Sequence, residues 1–380
     1  MLHCNRGGIL SVAISCTDKL TRPIKLCSTR VWRTYLGGYL LDIFNGMPEP
    51  RDSNFPEEWI ASVIRARNTE REHIIDEGLS RIDDGTSMTL RDVIVSDPSC
   101  FLGHKHFQTF GDSLGVLVKL IDSQERLSIQ THPDRATAKR LFDSDYGKTE
   151  CWHILDGRSI NGHSPAIYLG FKPSVTREKW ESLFKSQDCN GMLDCLHKFP
   201  ANPGDTFLVE GGVPHAIGDG CFLVEIQEPT DYTIRVERYT ESGSKINDFM
   251  CHQGLGFEKM FDCFSYIGLP KEDAYQKWRV KPKTLVSCPE YSEHEIIGYE
   301  KTPYFSARIV IIKDVYEIMS EGFFSGMLIL SGEGCVESKG YLQKIKKSDQ
   351  FFIPAGIETL KIIADSHETL RIVRFFGPKA

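Results

Sequence analysis

The sequence feature that most constrains the fold is a pair of short segments far apart in the chain. Each is flanked by residues typical of a β-strand. Residues 130–133 read Gln-Thr-His-Pro, and residues 212–215 read Gly-Val-Pro-His. Successive side chains of a strand point to opposite faces, so Gln130 and His132 share one face. A tight turn at Gly-Val-Pro ends on His215. We therefore predict a hairpin-rich β-barrel that brings His215 back beside the first segment.

Together with Glu150, which closes the segment Gly-Lys-Thr-Glu, these residues offer the ligands that a divalent ion of the zinc type prefers. Gln130 supplies an amide oxygen, His132 and His215 supply imidazoles, and Glu150 supplies a carboxylate. A single His in a β protein is more often a hydrogen-bonded core or surface residue. The four residues in this order, each beside a predicted strand, favour one shared metal site.

Three further histidines lack such a pattern. His104 and His106 alternate in what reads as a loop, and His252 lies beside Cys251. Because none of them has a partner at a ligand-like spacing, we predict that they are surface residues without a metal role.

Strand patterns dominate from residue 114 to 238, and helices are predicted around them. The residues before about 30 are hard to place, and we expect either an edge strand or partial disorder there. Amphipathic spacing and N-terminal signals predict helices at 56–68 and 174–197, the last with Ser174 as N-cap. We also expect a short helix at 89–95, a helix at 134–142 inserted between His132 and Glu150, and a connector at 257–275.

Short strand patterns resume beyond residue 280, at 306–313 and 327–330. Residues 348–356 form a turn like the one before His215, but Thr359 stands where a His would be expected. We therefore predict a second barrel without metal ligands that covers or buttresses the first.

Composition narrows the class of partner. The 380-residue chain has a net charge of −7 and no basic cluster, which argues against nucleic-acid binding. No apolar run approaches the roughly 20 residues of a membrane span. The 12 cysteines include no C-x-x-C pair, a usage typical of a reducing cytoplasm. We predict a cytoplasmic monomer or homodimer with no nucleic-acid or membrane partner.

The ordered motifs resemble those of the type I phosphomannose isomerases, a family of the cupin superfamily. The matching stretches are 127–134, 147–152, 213–220 and 225–235. The resemblance implies a mainly β fold of two cupin-type (jelly-roll) β-barrels with peripheral helices. We accordingly expect an N-terminal segment with helices at 1–110 packed on the first barrel, a metal-binding catalytic cupin with a helical insertion at 111–260, and a second cupin lacking metal ligands at 280–380.

The resemblance also implies roles for individual residues. It assigns one Zn2+ ion to the four predicted ligands. It implies catalytic or substrate-binding roles for Lys148, Glu225, Asp231 and Arg235. It also implies that Ser128, Lys119 and Ser62 lie near the substrate or its phosphate.

The implied reaction interconverts mannose 6-phosphate and fructose 6-phosphate. An aldose–ketose isomerisation moves a proton between adjacent carbons through an enediolate, so it needs a base and a stabilised oxyanion. We predict Glu225 as the base and Lys148 as its proton-transfer or electrophilic partner. Arg235 would assist ring opening or hold sugar oxygens, with Asp231 as its partner. From spacing alone, a local salt bridge between those two residues is the alternative.

Other interpretations of the residues stay open at this point. Lys119 is the one charge in residues 115–121, so it either reaches solvent at a strand edge or points into a polar cavity. The whole chain could instead be a non-catalytic cupin that senses a sugar or sugar phosphate. It could also isomerise a different sugar phosphate, because the sequence does not fix the stereochemistry of the substrate.

Overall fold

The computed structural model describes residues 22–380 as a mainly β protein, which confirms the predicted fold class. In chain order the first strands are β1 (Ile24–Leu26), β2 (Arg30–Val31), β3 (Glu57–Ile60), β4 (Leu117–Asp122), β5 (Gln130–Thr131), β6 (Glu150–Gly157), β7 (Ala166–Phe171), β8 (Leu196–Pro200), β9 (Thr206–Val209), β10 (His215–Ile217), β11 (Cys221–Gln227) and β12 (Ile234–Arg235). The later strands are β13 (Arg279–Val280), β14 (Lys283–Ser287), β15 (Tyr291–Ile297), β16 (Ser306–Ile312), β17 (Val315–Met319), β18 (Ser325–Ser331), β19 (Glu333–Ser338), β20 (Tyr341–Lys346), β21 (Gln350–Ile353), β22 (Thr359–Ala364) and β23 (Leu370–Phe376).

Helices lie between and around these strands. They are α1 (Tyr39–Phe44), α2 (Leu90–Ser96), α3 (Pro98–Leu102), α4 (His104–Phe110), α5 (Arg135–Phe142), α6 (Arg177–Ser186), α7 (Cys189–Asp194), α8 (Asp248–His252), α9 (Gly256–Lys259) and α10 (Lys271–Trp278), with a 3-10 turn at Met260–Cys263. In the part of the chain that the structure describes, no helix has the length and apolar character needed to cross a membrane.

Strands between residues 30 and 280 form two sheets around one core. The larger has the order β13-β9-β6-β11-β4-β3-β2, and the smaller has the order β12-β5-β10-β7-β8. Trp152 and Ile154 of the larger sheet pack in one cluster with Ile167 and Leu169 of the smaller. The two sheets therefore face each other, and we call this part of the molecule the first β region.

The remaining strands build a second β region with the same plan. Its larger sheet has the order β1-β21-β18-β23-β16-β15-β14, and its smaller sheet has the order β17-β22-β19-β20. Val310 and Ile372 of the larger sheet pack with Ile318 and Ile362 of the smaller. Strand β1 lies at the edge of its sheet, in agreement with the edge strand predicted near the N-terminus. Residues 1–21, which that prediction also covered, lie outside the described residues.

Apolar side chains join the two seven-stranded sheets back to back. Val118 and Ile226 of the first region share a buried cluster with Ala307 and Val373 of the second. Leu90 of helix α2 joins the same cluster. Each Val, Leu or Ile side chain of the cluster contributes about 1.5–3 kcal/mol when fully buried, so this cluster holds the two regions together.

Two of the predicted helices are confirmed, and each begins with a side-chain cap. Helix α2 begins after Thr89, whose hydroxyl accepts a hydrogen bond from Asp92 N while the Asp92 carboxylate accepts one from Thr89 N. Helix α5 begins after Asp134, whose carboxylate accepts from Thr137 N. Side-chain oxygens at these positions satisfy backbone donors that a helix start leaves free.

The helix predicted at 56–68 is wrong. Residues Glu57–Ile60 form β3, which pairs with β2 and β4, and all four are buried. Ala61 then adopts a left-handed conformation with φ 47°, and the chain continues without regular structure. A strand buried on both faces has no alternation of apolar and polar residues, so its spacing is easily taken for a helix.

Two further predictions need correction. The helix predicted at 174–197 is two short helices and a strand, and its N-cap is Thr176, because Ser174 has a φ of 68° that is unsuited to a cap. His106, predicted to be a surface residue, is buried in helix α4, where its Nε2 lies 2.8 Å from the carbonyl of Ser113.

Candidate metal centre and active site

The segments singled out in the sequence converge in the first β region. Strand β10 pairs with β5 so that His215 lies opposite Gln130, and His132 directly follows β5. Glu150 opens strand β6. His132, Glu150 and His215 each offer a ligand atom, and these atoms all lie within 4.8 Å of one another. No side chain of the three is more than 1% exposed.

Hydrogen bonds fix both imidazoles with Nε2 facing the cluster. His132 Nδ1 lies 2.7 Å from the carbonyl of Tyr232, and His215 Nδ1 lies 2.8 Å from the carbonyl of Val213. A carbonyl can only accept, so each Nδ1 carries the proton and each Nε2 presents a lone pair. The two Nε2 atoms are 3.2 Å apart, which places two acceptors face to face. Such a pair fits around a shared cation.

The carboxylate and the amide complete this donor set. Glu150 Oε1 is buried, 2.9 Å from His132 Nε2 and 3.0 Å from Lys148 Nζ. The Gln130 amide group lies 3.4 Å from His215 Nε2, and turning it by half a rotation presents its oxygen there. The four residues thus fit a zinc-type ion in donor type and in direction.

Electrostatics keep the donors in the forms that bind metal. Burial, assisted by the ammonium of Lys148, lowers the pKa of His132 to about 3, and burial also lowers the pKa of His215. Burial opposes ionisation of Glu150, but Lys148 and His132 outweigh it and hold the pKa of that carboxyl well below its usual range. Neutral imidazoles beside a carboxylate are the protonation states that metal binding requires.

One small cavity adjoins the cluster and gathers most of the predicted site residues. Its volume is about 40 Å³. Predicted residues that line it are Lys119, Ser128, Gln130, Lys148, Glu225, Asp231 and Arg235. Lys148 Nζ lies 3.0 Å from Glu150 Oε1, so the cavity is continuous with the cluster. Lys119 therefore points into a polar cavity and not to a strand edge.

A buried ion pair links the cavity to the cluster. Lys119 Nζ lies 2.8 Å from Glu225 Oε2, and both residues are at most 3% exposed. Trp152 Nε1 reaches both Glu225 Oε1, at 3.2 Å, and Glu150 Oε2, at 3.1 Å. Burial, followed by the charge of Glu150, raises the pKa of Glu225, although Lys119 opposes that rise. A raised pKa makes this carboxylate a stronger base.

Sequence reasoning missed a second buried network, which adjoins the pair of Lys119 and Glu225 in the same sheet. Arg33 Nε lies 2.9 Å from Glu57 Oε1, and Arg33 Nη2 lies 3.3 Å from Asp231 Oδ1. Tyr35 donates to Glu57 at 2.8 Å, and Trp59 donates to it at 2.9 Å. Burial favours the neutral acid, yet Arg33 and Lys119 lower the pKa of Glu57 to about 2. If residues 57–60 had been interpreted as a strand, Glu57 and Trp59 would have been placed on one face, and the sequence would have indicated this network.

Arg235 has a different environment from the other cations of the cavity. Its Nη1 donates to the carbonyl of Met250 at 2.8 Å, and among the described residues no carboxylate lies within salt-bridge distance. Asp231 pairs with Arg33, so both the predicted partnership of Asp231 with Arg235 and the alternative of a local salt bridge between them are wrong. Burial lowers the pKa of Arg235. Its guanidinium is thus available to an anionic group in the cavity.

Ser62 does not share this location. It lines neither the cavity nor the cleft beside it, and its hydroxyl exchanges hydrogen bonds with the backbone of Ile64. The prediction that Ser62 contacts the substrate is therefore not supported by the geometry. Ser128 does line the cavity, as its shared face with Gln130 and His132 predicted.

The fold and the buried cluster together define a cupin-type protein with a candidate metal centre, and comparison with known proteins identifies its family. Residues 75–150 match the family described as phosphomannose isomerase type I, catalytic domain. The probable mannose-6-phosphate isomerase GmuF of Bacillus subtilis is 32% identical over 245 residues, which cover 64% of this chain and 70% of that protein. The mannose-6-phosphate isomerase ManA of the same organism is 25% identical over 68% of this chain and 76% of its own length.

Solved structures agree on the fold. The crystal structure of the mannose 6-phosphate isomerase from Bacillus subtilis superposes with a TM-score of 0.69 at 23% identity, covering 93% of this chain and 99% of that one. A putative mannosephosphate isomerase from Archaeoglobus fulgidus gives a TM-score of 0.69 at 17% identity, covering 94% and 98%. The chain belongs to the type I phosphomannose isomerase family and is an isomerase of that family, as the motifs predicted.

Proposed function

We propose that this chain interconverts mannose 6-phosphate and fructose 6-phosphate in a zinc-dependent reaction that passes through an enediolate. The observation that carries the proposal is the continuity between the His132, Glu150 and His215 cluster and a buried cavity lined by charged side chains of both signs. Family membership and the names of its relatives support this substrate.

Gln130, His132, Glu150 and His215 would hold the ion. When bound, a zinc-type ion polarises a sugar oxygen and stabilises negative charge that develops on it. The remaining steps fall to the cavity residues of this chain.

Glu225 is the proposed base. The reaction requires a group within hydrogen-bond reach that removes a proton from one carbon and returns it to the next. Glu225 lines the cavity, and burial beside Glu150 raises its pKa. The ion pair with Lys119 fixes the direction of the carboxylate and favours its ionised form. Lys119 is therefore proposed as a positioning residue for the base.

Two further cations would stabilise the negative charge that develops during proton transfer. Lys148 reaches the donor cluster and can give or accept a proton at a neighbouring sugar oxygen. Arg235, with no carboxylate partner of its own in the described chain, would hold a sugar oxygen and assist ring opening. Asp231 would act indirectly, by holding Arg33 against the cavity wall.

A coupled assay for fructose 6-phosphate formation, with protein stripped by chelator and reloaded with zinc, tests the proposal. Loaded protein should turn over mannose 6-phosphate and stripped protein should not. Glu225→Gln should lower kcat by about 10²- to 10⁴-fold, the usual contribution of general acid–base catalysis, at unchanged metal content. Arg235→Ala should also lower kcat.

The exposed Glu317 of the second region provides a matched control, and Glu317→Gln should match the unmutated protein. Near-normal turnover by Glu225→Gln would remove that residue from the mechanism. Binding of mannose 6-phosphate without turnover in fully loaded protein would favour a sensor. Turnover of another sugar phosphate alone would change the substrate.

A further inference from the structure

The catalytic cavity is too small for a whole sugar phosphate. Its volume of about 40 Å³ compares with the roughly 10–15 Å³ that a single water requires, so it admits only the reacting end of a sugar. Asp231 and Met250 also line a neighbouring cleft of about 710 Å³. The rest of the substrate, including its phosphate, must therefore extend past these two residues into the cleft.

The charge balance inside the cavity also disfavours a phosphate there. Lys119, which the family resemblance associates with the phosphate, is 2% exposed and lies 2.8 Å from Glu225. The carboxylate of Glu57 acts on the same ammonium. A phosphate dianion beside Lys119 would meet both carboxylates, and like charges at such distances in a buried site repel strongly.

The cleft offers a better placed cation at its junction with the cavity. Arg67 is exposed, lines the cleft, and forms no ion pair with any residue of the described chain. Its guanidinium lies 4.6 Å from the ring centroid of Tyr232, another lining residue. Its backbone N–H donates to Asp231 Oδ2 at 3.0 Å, which anchors Arg67 at the shared wall. By contrast, Arg71 is occupied by Glu77 at 2.9 Å.

We propose that Arg67 binds the phosphate of the substrate in this cleft and thereby selects phosphorylated sugars. The inference rests on the proposed isomerase function and deepens it. A planar guanidinium presents parallel donors to two phosphate oxygens, a geometry that a lysine cannot reproduce. Because Arg67 already stacks on Tyr232, its side chain loses less conformational entropy when it binds the phosphate. The reacting carbons then lie inward, towards Lys148 and Glu225.

Substitution of Arg67 separates binding from chemistry. Arg67→Gln should raise KM for mannose 6-phosphate by roughly tenfold or more, the scale of one charge-assisted hydrogen bond, while kcat changes little. Inhibition by inorganic phosphate should weaken by a similar factor. Arg67→Lys should recover only part of the loss, because it restores the charge without the paired donors.

Two further variants distinguish the role of Arg67 from a general effect of positive charge and from the role of Lys119. Arg65→Gln removes a charge from the same cleft two residues away, and its effect should be small. Lys119→Gln should lower kcat, because the base Glu225 loses its ion-pair partner, and should leave phosphate inhibition nearly unchanged. The proposal is overturned if Lys119→Gln alone abolishes phosphate inhibition. It is equally overturned if Arg65→Gln and Arg67→Gln give equal effects that disappear with added salt.

A binding measurement separates this inference from the proposed function. Inorganic phosphate is titrated into zinc-loaded protein by calorimetry, with the unmutated chain and Arg67→Gln compared. If the protein does not turn over mannose 6-phosphate but Arg67→Gln still weakens phosphate binding, the anchor stands and the proposed reaction fails. If turnover is normal and phosphate binding is unaffected by Arg67→Gln, the anchor fails.

Discussion

The two β regions have the same sheet arrangement but differ in the side chains of their interiors. In each, a seven-stranded sheet faces a smaller one. The interior of the first region carries charged side chains such as Lys119, Glu150 and Glu225, all buried. The interior of the second is a continuous apolar cluster that includes Val310 and Ile372. Burying charge costs free energy even when the charges are paired, as Lys119 is with Glu225, and the catalytic role proposed for the first region would explain that cost.

The difference also shows at the turns that precede corresponding strands. In the first region the turn at 211–214 delivers His215, whose Nδ1 is fixed by the carbonyl of Val213. In the second region β22 begins with Thr359, whose hydroxyl donates to the sulfur of Met319 at 3.7 Å. Architecture alone therefore does not decide function, because a single side chain at the end of such a turn decides whether a donor faces the interior.

The polar network of the second region has a different form. Arg374, 3% exposed, donates to the hydroxyl of Tyr316 at 2.8 Å, and Arg308 pairs with Glu293 at 2.9 Å. These groups bond to one another and line neither the proposed catalytic cavity nor the adjoining cleft. We interpret them as structural, in contrast to the network around Glu225.

The largest test of this contrast removes a proposed metal ligand. Glu150→Gln should lose most of the bound zinc and lower turnover by about a thousandfold, since it removes a charged donor from a buried site. Metal content by elemental analysis and the coupled isomerase assay measure the two effects. Thr359→Ala, at the corresponding turn of the second region, should change neither. Full zinc content in Glu150→Gln would remove that residue from the ligand set.

Glu57→Gln tests how much the charged interior contributes to stability. The pKa of Glu57 is lowered to about 2, against an ordinary value near 4.5, and a shift of this size corresponds to roughly 3 kcal/mol. Because the folded-state value is the lower one, this contribution is complete above about pH 4.5 and is lost as the pH falls towards 2.

Urea unfolding at several pH values measures this dependence. The difference in free energy of unfolding between Glu57→Gln and the unmutated chain should be greatest near neutral pH and shrink in acid. An exposed carboxylate of the second region, altered by Glu317→Gln, should change the stability by less than about 0.5 kcal/mol. A difference for Glu57→Gln that is constant with pH would refute the assigned ionisation.

Arg374→Ala tests whether the polar network of the second region is only structural. The free energy of unfolding should fall by about 2 kcal/mol, because the hydroxyl of Tyr316 loses its buried partner. The kcat and zinc content of the folded protein should not change. Arg371→Ala, an exposed residue of the same strand, is the control for stability. A loss of kcat without a loss of stability would mean that the second region takes part in catalysis.

Features that depend on residues close together in the sequence could be predicted, whereas most contacts between distant segments could not. The helices at 89–95 and 134–142 were predicted correctly, and the caps that begin them, at Thr89 and Asp134, are local contacts between residues three positions apart. The convergence of Gln130, His132 and His215 followed from strand periodicity, a turn and a family resemblance. These signals are short patterns whose physical meaning does not depend on the rest of the fold.

Networks between distant segments were not predictable in this way. Arg33 meets Asp231 only because β2, β3 and β12 are arranged by sheet topology, and no local pattern encodes that pairing. Glu57 was missed because a strand buried on both faces was taken for a helix. The same limit applies to Arg67, whose position at the cleft depends on its contact with Asp231.

The smallest test uses a cap that lies at the junction of the two regions. Thr89→Ala removes the capping box of α2, whose Leu90 packs in the cluster shared by both seven-stranded sheets. It should lower the free energy of unfolding by about 1 kcal/mol, the usual value of a lost N-cap, without changing KM or kcat. Ser87→Ala, at an exposed position just before the helix, is the control. A change in KM for Thr89→Ala would show that packing between the regions also positions the substrate cleft, because Arg91 and Ile94 of the same helix line it.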